Sequence, residues 1–178
     1  MKHPRIALTG GIACGKSLAA RYLNELGVET IDADDVVHEL LTDPAERRRL
    51  AAEVFADPEK RRALEARLHP LVKERIDAFL AAAPEGRLRL AVIPLLFETG
   101  WDQDYDFIGC VSSSREHQLG RMISSRGYTR EEALARLAAQ LPVAEKVSRS
   151  HHVLANDGTA EDLRAAVAGF VDAMKTIA

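Results

Sequence analysis

Cysteine is scarce in this chain. Cys14 and Cys110 stand far apart, show no metal-ligand spacing and have no second thiol pair for a disulfide framework. The expected setting is therefore a reducing cytoplasm. Long hydrophobic runs are missing too: the apolar-leaning stretch after Arg5 is too short for a signal-peptide core and far too short for a membrane span. Charge of one sign is not in excess, with 24 basic against 27 acidic residues, a net charge of -3 and no block of like charge. No global basic field for nucleic acid results, although local basic clusters still serve phosphates. Internal repeats and low-complexity linkers are absent. What is present is 178 residues, 47% of them hydrophobic, enough to bury the core of one globular domain and to exclude disorder or collagen-like repetition.

Ile6 to Thr9 reads as a short buried strand. A glycine-rich turn follows, then a helical pattern through Leu18, Tyr22, Leu23 and Leu26, closed by Gly27. Further strands are predicted at Val28–Ile31, Leu88–Ile93, Phe107–Val111 and Val153–Leu154. Five strands alternating with helices predict an α/β fold with a parallel sheet. Between the second and third strands, from about Ala33 to Ala83, only helical signals occur. Pro44, Pro58 and Pro70 each sit where a helix can begin. A second helical excursion runs from Arg115 to Ser150, with Arg121, Arg126, Arg130, Arg136, Lys146 and Arg149 along it.

Gly10-Gly11-Ile12-Ala13-Cys14-Gly15-Lys16-Ser17 satisfies the pattern of glycine, four residues, then Gly-Lys-Ser. At ordinary residue usage a chance match in a chain of this length is roughly a 1% event, so the pattern counts as a signal. It lies between a predicted strand and a predicted helix, where backbone amides and the positive end of the helix dipole surround phosphate groups. In that setting Lys16 supplies a point charge to the β and γ phosphates, and the Ser17 hydroxyl is placed to ligate magnesium. A glycine-rich turn used only for packing is the competing reading, which the strand-loop-helix context disfavours.

Asp32 and Asp34 flank Ala33 at the carboxyl end of the second strand, on the border of the ligand crevice of an open parallel sheet. If the chain is extended there, both side chains share one face. If a helix starts instead, Asp32 is its N-cap and Asp34 a first-turn carboxylate. Asp34 is the favoured functional residue, since phosphoryl transfer needs a base near the acceptor hydroxyl. His69-Pro70 reads as a junction between two helices, and the Pro94 to Glu98 run as core ending in a polar group at the crevice rim. The arginines of the second excursion form a solvated face, or else close over a nucleotide and neutralise charge on the transferred phosphoryl group. Asn156-Asp157-Gly158 reads as a turn.

Taken together, Leu8 to Ile12, Gly15 to Ser17, Leu26-Gly27, Ile31 to Asp34, Val54-Phe55, Leu68-His69-Pro70, Pro94 to Glu98, Gln118 with Arg121, Gln140, and Asn156 with Gly158 resemble the dephospho-CoA kinase family in content and order. This resemblance implies a P-loop NTPase-like five-stranded parallel sheet flanked by helices, in a single domain over 1–178. It also implies a helical acceptor-binding insertion over 35–86 and a small helical lid over 115–150. ATP with Mg2+ and dephospho-CoA are the implied substrates, and nucleic acid and membrane are not implied partners. Asp34 is implied as the base on the ribose 3'-hydroxyl, with Lys16 and Arg121 completing the catalytic set and Ser17 holding the metal. For ATP the implied residues are Gly11, Ile12, Ala13, Cys14, Gly15, Lys16, Ser17, Leu18, Arg121, Asn156 and Gly158. For the acceptor they are Asp34, His69 and Glu98. The chain departs from the family pattern at Cys14 and Leu18, at Ser125 where a second lid arginine is usual, at His151-His152 in a usually acidic stretch, and in a shortened run between Leu41 and Arg48. Another small-molecule P-loop kinase and a catalytically weak nucleotide-binding regulator are the alternatives. The first leaves the combination of Asp34, His69 and Pro94 to Glu98 to coincidence, and the second, which would explain the departures, need not retain Lys16, Ser17, Asp34 and Arg121 together.

Overall fold

β1 (Ile6–Gly10) is buried along its whole length, as befits a strand with neighbours on both edges and helices on both faces. The computed structural model describes residues 4–43, 49–50 and 57–177. In it β1 joins β2 (Glu29–Asp32), β3 (Arg89–Val92), β4 (Phe107–Ser112) and β5 (His152–Ala155) in the order β2-β3-β1-β4-β5. Every adjacent pair is parallel, with Leu8 opposite both Val92 and Gly109. Parallel pairing demands long crossovers, which here are helical. α1 (Lys16–Glu25) links β1 to β2, while α2 (Ala33–Leu40) and α3 (Pro58–Ala81) lie between β2 and β3. α4 (Arg115–Arg126), α5 (Arg130–Ala138) and α6 (Val143–Ser148) separate β4 from β5, and α7 (Ala160–Lys175) follows β5.

Alternation along β1 splits the core in two. Ile6 and Leu8 pack with Leu23 of α1 and with Leu163, Val167, Phe170 and Met174 of α7. Ala7 faces the other way, toward Val36 of α2 and Val72, Ile76 and Leu80 of α3. At the sheet edges β2 holds no fully buried residue and β5 only Leu154, which is why their apolar signals in the sequence are short.

The expected strands are all present, shifted by a residue or so at their ends. Pro58 opens α3 behind the N-cap Asp57, whose Oδ1 accepts from the backbone N–H of Glu59 and Lys60. Pro70 does not start a helix, contrary to expectation; α3 runs straight through it. A proline in a helix interior costs about 3 kcal/mol. Leu68, Val72, Ile76 and Leu80, spaced by four on one face, are all buried, and each such side chain returns roughly 1.5 to 3 kcal/mol. Packing therefore outweighs the local rule. Pro44, Val54-Phe55 and most of the shortened run between Leu41 and Arg48 lie outside the described residues.

Candidate active site

The carboxyl ends of β1, β2 and β3 deliver Gly10, Asp32 and, two residues past β3, Pro94 to one crevice, where ligands of open α/β sheets bind. Gly15, the N-cap of α1, adopts a left-handed conformation with φ 101° and has no side-chain cap, which leaves the first-turn N–H groups of α1 to whatever enters the loop. A Cβ at Gly15 would lie 2.2 Å from Nδ2 of Asn156, so only glycine fits. Lys16 Nζ donates to the carbonyls of Gly10 and Gly11, both at 2.9 Å. Burial lowers the Lys16 pKa and nearby Lys146 adds to that shift, against the opposing carboxylates of Asp34 and Asp32.

Three successive carbonyls of the loop are taken by side chains from distant elements. Gln118 Nε2 donates to Ile12 O at 2.7 Å, Arg121 Nη1 to Ala13 O at 3.2 Å, and Asn156 Nδ2 to Cys14 O at 2.7 Å. Ile12 is held from its other side as well, its N–H donating to Gln140 Oε1 at 3.0 Å. These bonds fix the loop, and Ala13 keeps a left-handed φ of 58° within it. Cys14 and Cys110 are free and buried, and burial pushes both thiols up, Cys110 to about 11. The Cys14 and Leu18 side chains pack into the core rather than into the crevice.

Of the two geometries open to Asp32 and Asp34, the structure has the helical one. Asp32 caps α2, its Oδ1 accepting from the Asp34 N–H at 2.8 Å, and Asp34 lies in the first turn. Burial raises the Asp32 pKa, opposed by that hydrogen bond. A cleft of about 410 Å³ brings together Lys16, Ser17, Asp34 and Arg121 with Ile12, Ala13 and Gly15. Asp32, Pro94 and Gln140 also line it, as do Ser125 and its neighbour Arg126, so an arginine does reach the cleft beside the departing serine. Gly11 borders a second cavity of about 650 Å³ that shares Gln140 with the first.

The remaining expected residues do not line this cleft. Asn156 acts through the loop, and its carbonyl accepts from Arg121 Nη2 at 2.6 Å. Gly158 precedes Thr159, the N-cap of α7. His69 sits mid-helix in α3 with its ring edge-on to Trp101, centroids 5.2 Å apart. Glu98 is 19% exposed at its side chain and pairs with Lys146 at 2.7 Å. Lys146, which the sequence reading gives no role, is fully buried, because α6 packs on β1 and β4. No local pattern in its six-residue helix marks it as buried. Arg149 stays exposed, its guanidinium over the Phe97 ring and paired with Asp102 at 3.0 Å. His151 has a structural task, its Nδ1 accepting from Ile108 N–H at 3.0 Å.

The family model described as dephospho-CoA kinase matches residues 5–46 and 44–162. This chain belongs to the dephospho-CoA kinase family. A dephospho-CoA kinase from Brucella melitensis biotype 1 is 36% identical over 185 residues, covering 93% of this chain and 92% of the relative. The crystal structure of TT1252 from Thermus thermophilus superposes with a TM-score of 0.80 at 36% identity, covering 96% of this chain and 98% of the other. A shikimate kinase from Acinetobacter baumannii, 19% identical, shares the fold with a TM-score of 0.66 over 96% of this chain and 93% of its own. The fold is thus that of the P-loop kinases, and membership of the dephospho-CoA kinase family makes the chain a phosphotransferase that uses ATP.

Proposed function

We propose that this protein transfers the γ-phosphoryl group of ATP to the ribose 3'-hydroxyl of dephospho-CoA, forming coenzyme A and ADP, the last step of coenzyme A synthesis. The observation that carries this reading is the single cleft that holds Lys16, Asp34 and Arg121 together. Lys16 gives up its two loop carbonyls to meet the β and γ phosphates, and the uncapped N–H groups of the first turn of α1 face them. Asn156 and Gly158 border the adenine. Asp32 is committed to capping α2, which leaves Asp34 as the carboxylate that accepts the hydroxyl proton. Arg121, moving off Ala13 and Asn156, neutralises charge on the transferred group. His69 and Glu98 stand on the acceptor side.

The exposed Ser17 hydroxyl opens on the cleft as a hard oxygen donor that suits Mg2+, which binds through one or two protein oxygens plus substrate phosphates. When bound, the ion supplies Lewis-acid neutralisation of phosphate charge. In this reading 1–178 forms one domain, 35–86 the acceptor-binding insertion and 115–150 the lid, in a cytoplasmic enzyme whose partners are its small-molecule substrates. Among the described residues no helix is long and apolar enough to cross a membrane. Incubation with magnesium, ATP and dephospho-CoA should yield a product heavier by one phosphate, and chelation should abolish it. Phosphorylation of a different small alcohol in preference would move the chain to another kinase activity.

A further inference from the structure

Lys146 is a fully buried cation that this reaction scheme leaves unused. Burying an ion pair costs more than its attraction returns unless both ions are well hydrogen-bonded, and an apolar side chain in its place is often no worse for stability. What a lysine adds at such a position is direction. Its Nζ donates to Glu98 Oε1 at 2.7 Å and to the Pro94 carbonyl at 2.8 Å. Pro94 lines the cleft with Lys16 and Asp34, and its carbonyl also accepts from Thr9 Oγ1 at 3.3 Å. Glu98 Oε1 accepts a second bond, from Leu141 N–H at 3.1 Å, and the adjacent Gln140 holds the Ile12 N–H of the phosphate loop. A hydrogen-bonded path therefore runs from Pro94 through Lys146, Glu98 and the Gln140-Leu141 backbone to Ile12. It joins the wall beside Asp34 to the loop that holds the nucleotide.

We infer that the Lys146–Glu98 pair is a positioning device that couples the phosphate loop to the Pro94 to Glu98 wall, so that nucleotide binding fixes the wall against which the acceptor is aligned. The inference rests on the two-substrate reading above. Coupling of this kind is reciprocal between the two ligands, and small errors in aligning reacting atoms cost on the order of 100-fold in rate.

The test uses Lys146→Met/Glu98→Gln, which removes both charges and leaves a side-chain oxygen at 98 for Leu141 N–H. In the parent, a non-hydrolysable ATP analogue should slow amide hydrogen exchange over 95–101. In the double variant the analogue should still protect 11–17 but leave 95–101 unchanged. With dephospho-CoA, turnover should fall about 10- to 100-fold. Each single variant should lose nearly as much kcat/KM as the pair, because either one cuts the same path. A nucleotide response over 95–101 that is absent from the parent, or intact in the double variant, overturns the coupling. Additive losses overturn it too, since Glu98 would then act on the acceptor by itself. If the double variant lacks a cooperative melt, Gln140→Ala cuts the path at Ile12 and must abolish the same response; a retained response counts against the inference. A parent that fails to phosphorylate dephospho-CoA refutes the proposed function, while the exchange experiment still decides the coupling.

Discussion

The side-chain amide of Asn156 donates to the carbonyl of Cys14 at 2.7 Å and occupies the space into which a Cβ on Gly15 would project. The Asn156 carbonyl in turn accepts from Arg121. One buried residue from the far end of the chain thus sets the shape of the phosphate loop and the resting place of the α4 arginine.

Gly15→Ala should therefore be costly. The new Cβ meets Asn156 Nδ2 at 2.2 Å and φ stays at 101°, so a loss of about 1 to 3 kcal/mol is expected from strain at a left-handed position. Asn156→Ala leaves the Cys14 carbonyl unpaired, a cost of about 1 to 3 kcal/mol. In the Asn156→Ala background the alanine at 15 should cost less than it does alone, because the clash is gone. Urea denaturation of the four proteins in this cycle checks it, and strict additivity would show that the two residues do not touch.

Lys16→Ala removes the ammonium that reaches the carbonyls of Gly10 and Gly11 across the loop. Turnover should fall about 100- to 1,000-fold, as for loss of a single preorganised donor to the transferred group. Far-UV circular dichroism should be unchanged. Parental turnover in this variant would make the loop structural only.

The two carboxylates of the 32–34 segment should part company on substitution. Asn is as good an N-cap as Asp, so Asp32→Asn should keep α2, with little change in stability or rate. Asp34→Asn deletes the proposed base and should lower kcat about 100- to 10,000-fold with ATP affinity unchanged. Rate assays beside calorimetric ATP titration separate the cases, and unimpaired turnover in Asp34→Asn removes it from the mechanism.

These contrasts also mark what the sequence can and cannot disclose. β1, the phosphate loop and α1 are contiguous, so their strand, turn and helix signals lie side by side and are legible. Asp34 is legible because it follows a strand end by two residues. Pro70 reads as a helix start, yet α3 continues through it, because the burial of Leu68, Val72, Ile76 and Leu80 is a tertiary fact that overrides a local breaker. The grip on Ile12 by Gln118 and Gln140, and the burial of Lys146, depend on α4 and the 139–142 turn reaching the phosphate loop and on α6 packing over β1 and β4. Nothing within a few residues of these side chains encodes that docking.

Asp157 gives the fold an acid-sensitive contact. Hydrogen bonds from His117, then Ser113 and the Ser114 N–H, hold its carboxyl well below the usual carboxylate range. A carboxyl with a lowered folded pKa stabilises above its unfolded value of about 3.9, and that stability is lost as pH falls through the folded value. Asp157→Asn should thus be less stable than the parent at neutral pH, with the gap narrowing below about pH 4. The side chain is 48% exposed, so solvent screening keeps the gap to about 1 kcal/mol or less. Urea melts across this range check the sign, and a gap that widens in acid would contradict it.

Arg121 separates charge from geometry. Its Nη1 reaches Ala13 O and Ser113 Oγ, each at 3.2 Å, while Nη2 reaches Asn156 O at 2.6 Å. The fork spans the phosphate loop and the segment after β5 within the cleft of Lys16 and Asp34. Lysine keeps the charge as a flexible point and loses the fork; glutamine keeps neither. If Arg121 only ties the two segments together, both variants should lower the melting temperature alike and leave kcat near the parental value. If it neutralises the transferred group, kcat should drop about 100-fold or more in Arg121→Gln and by less in Arg121→Lys, with the two melting temperatures still alike. Single-turnover rates at saturating ATP, measured beside thermal melts, distinguish the outcomes, and the second is expected. Equal kcat in the parent and both variants would leave Arg121 a structural clamp.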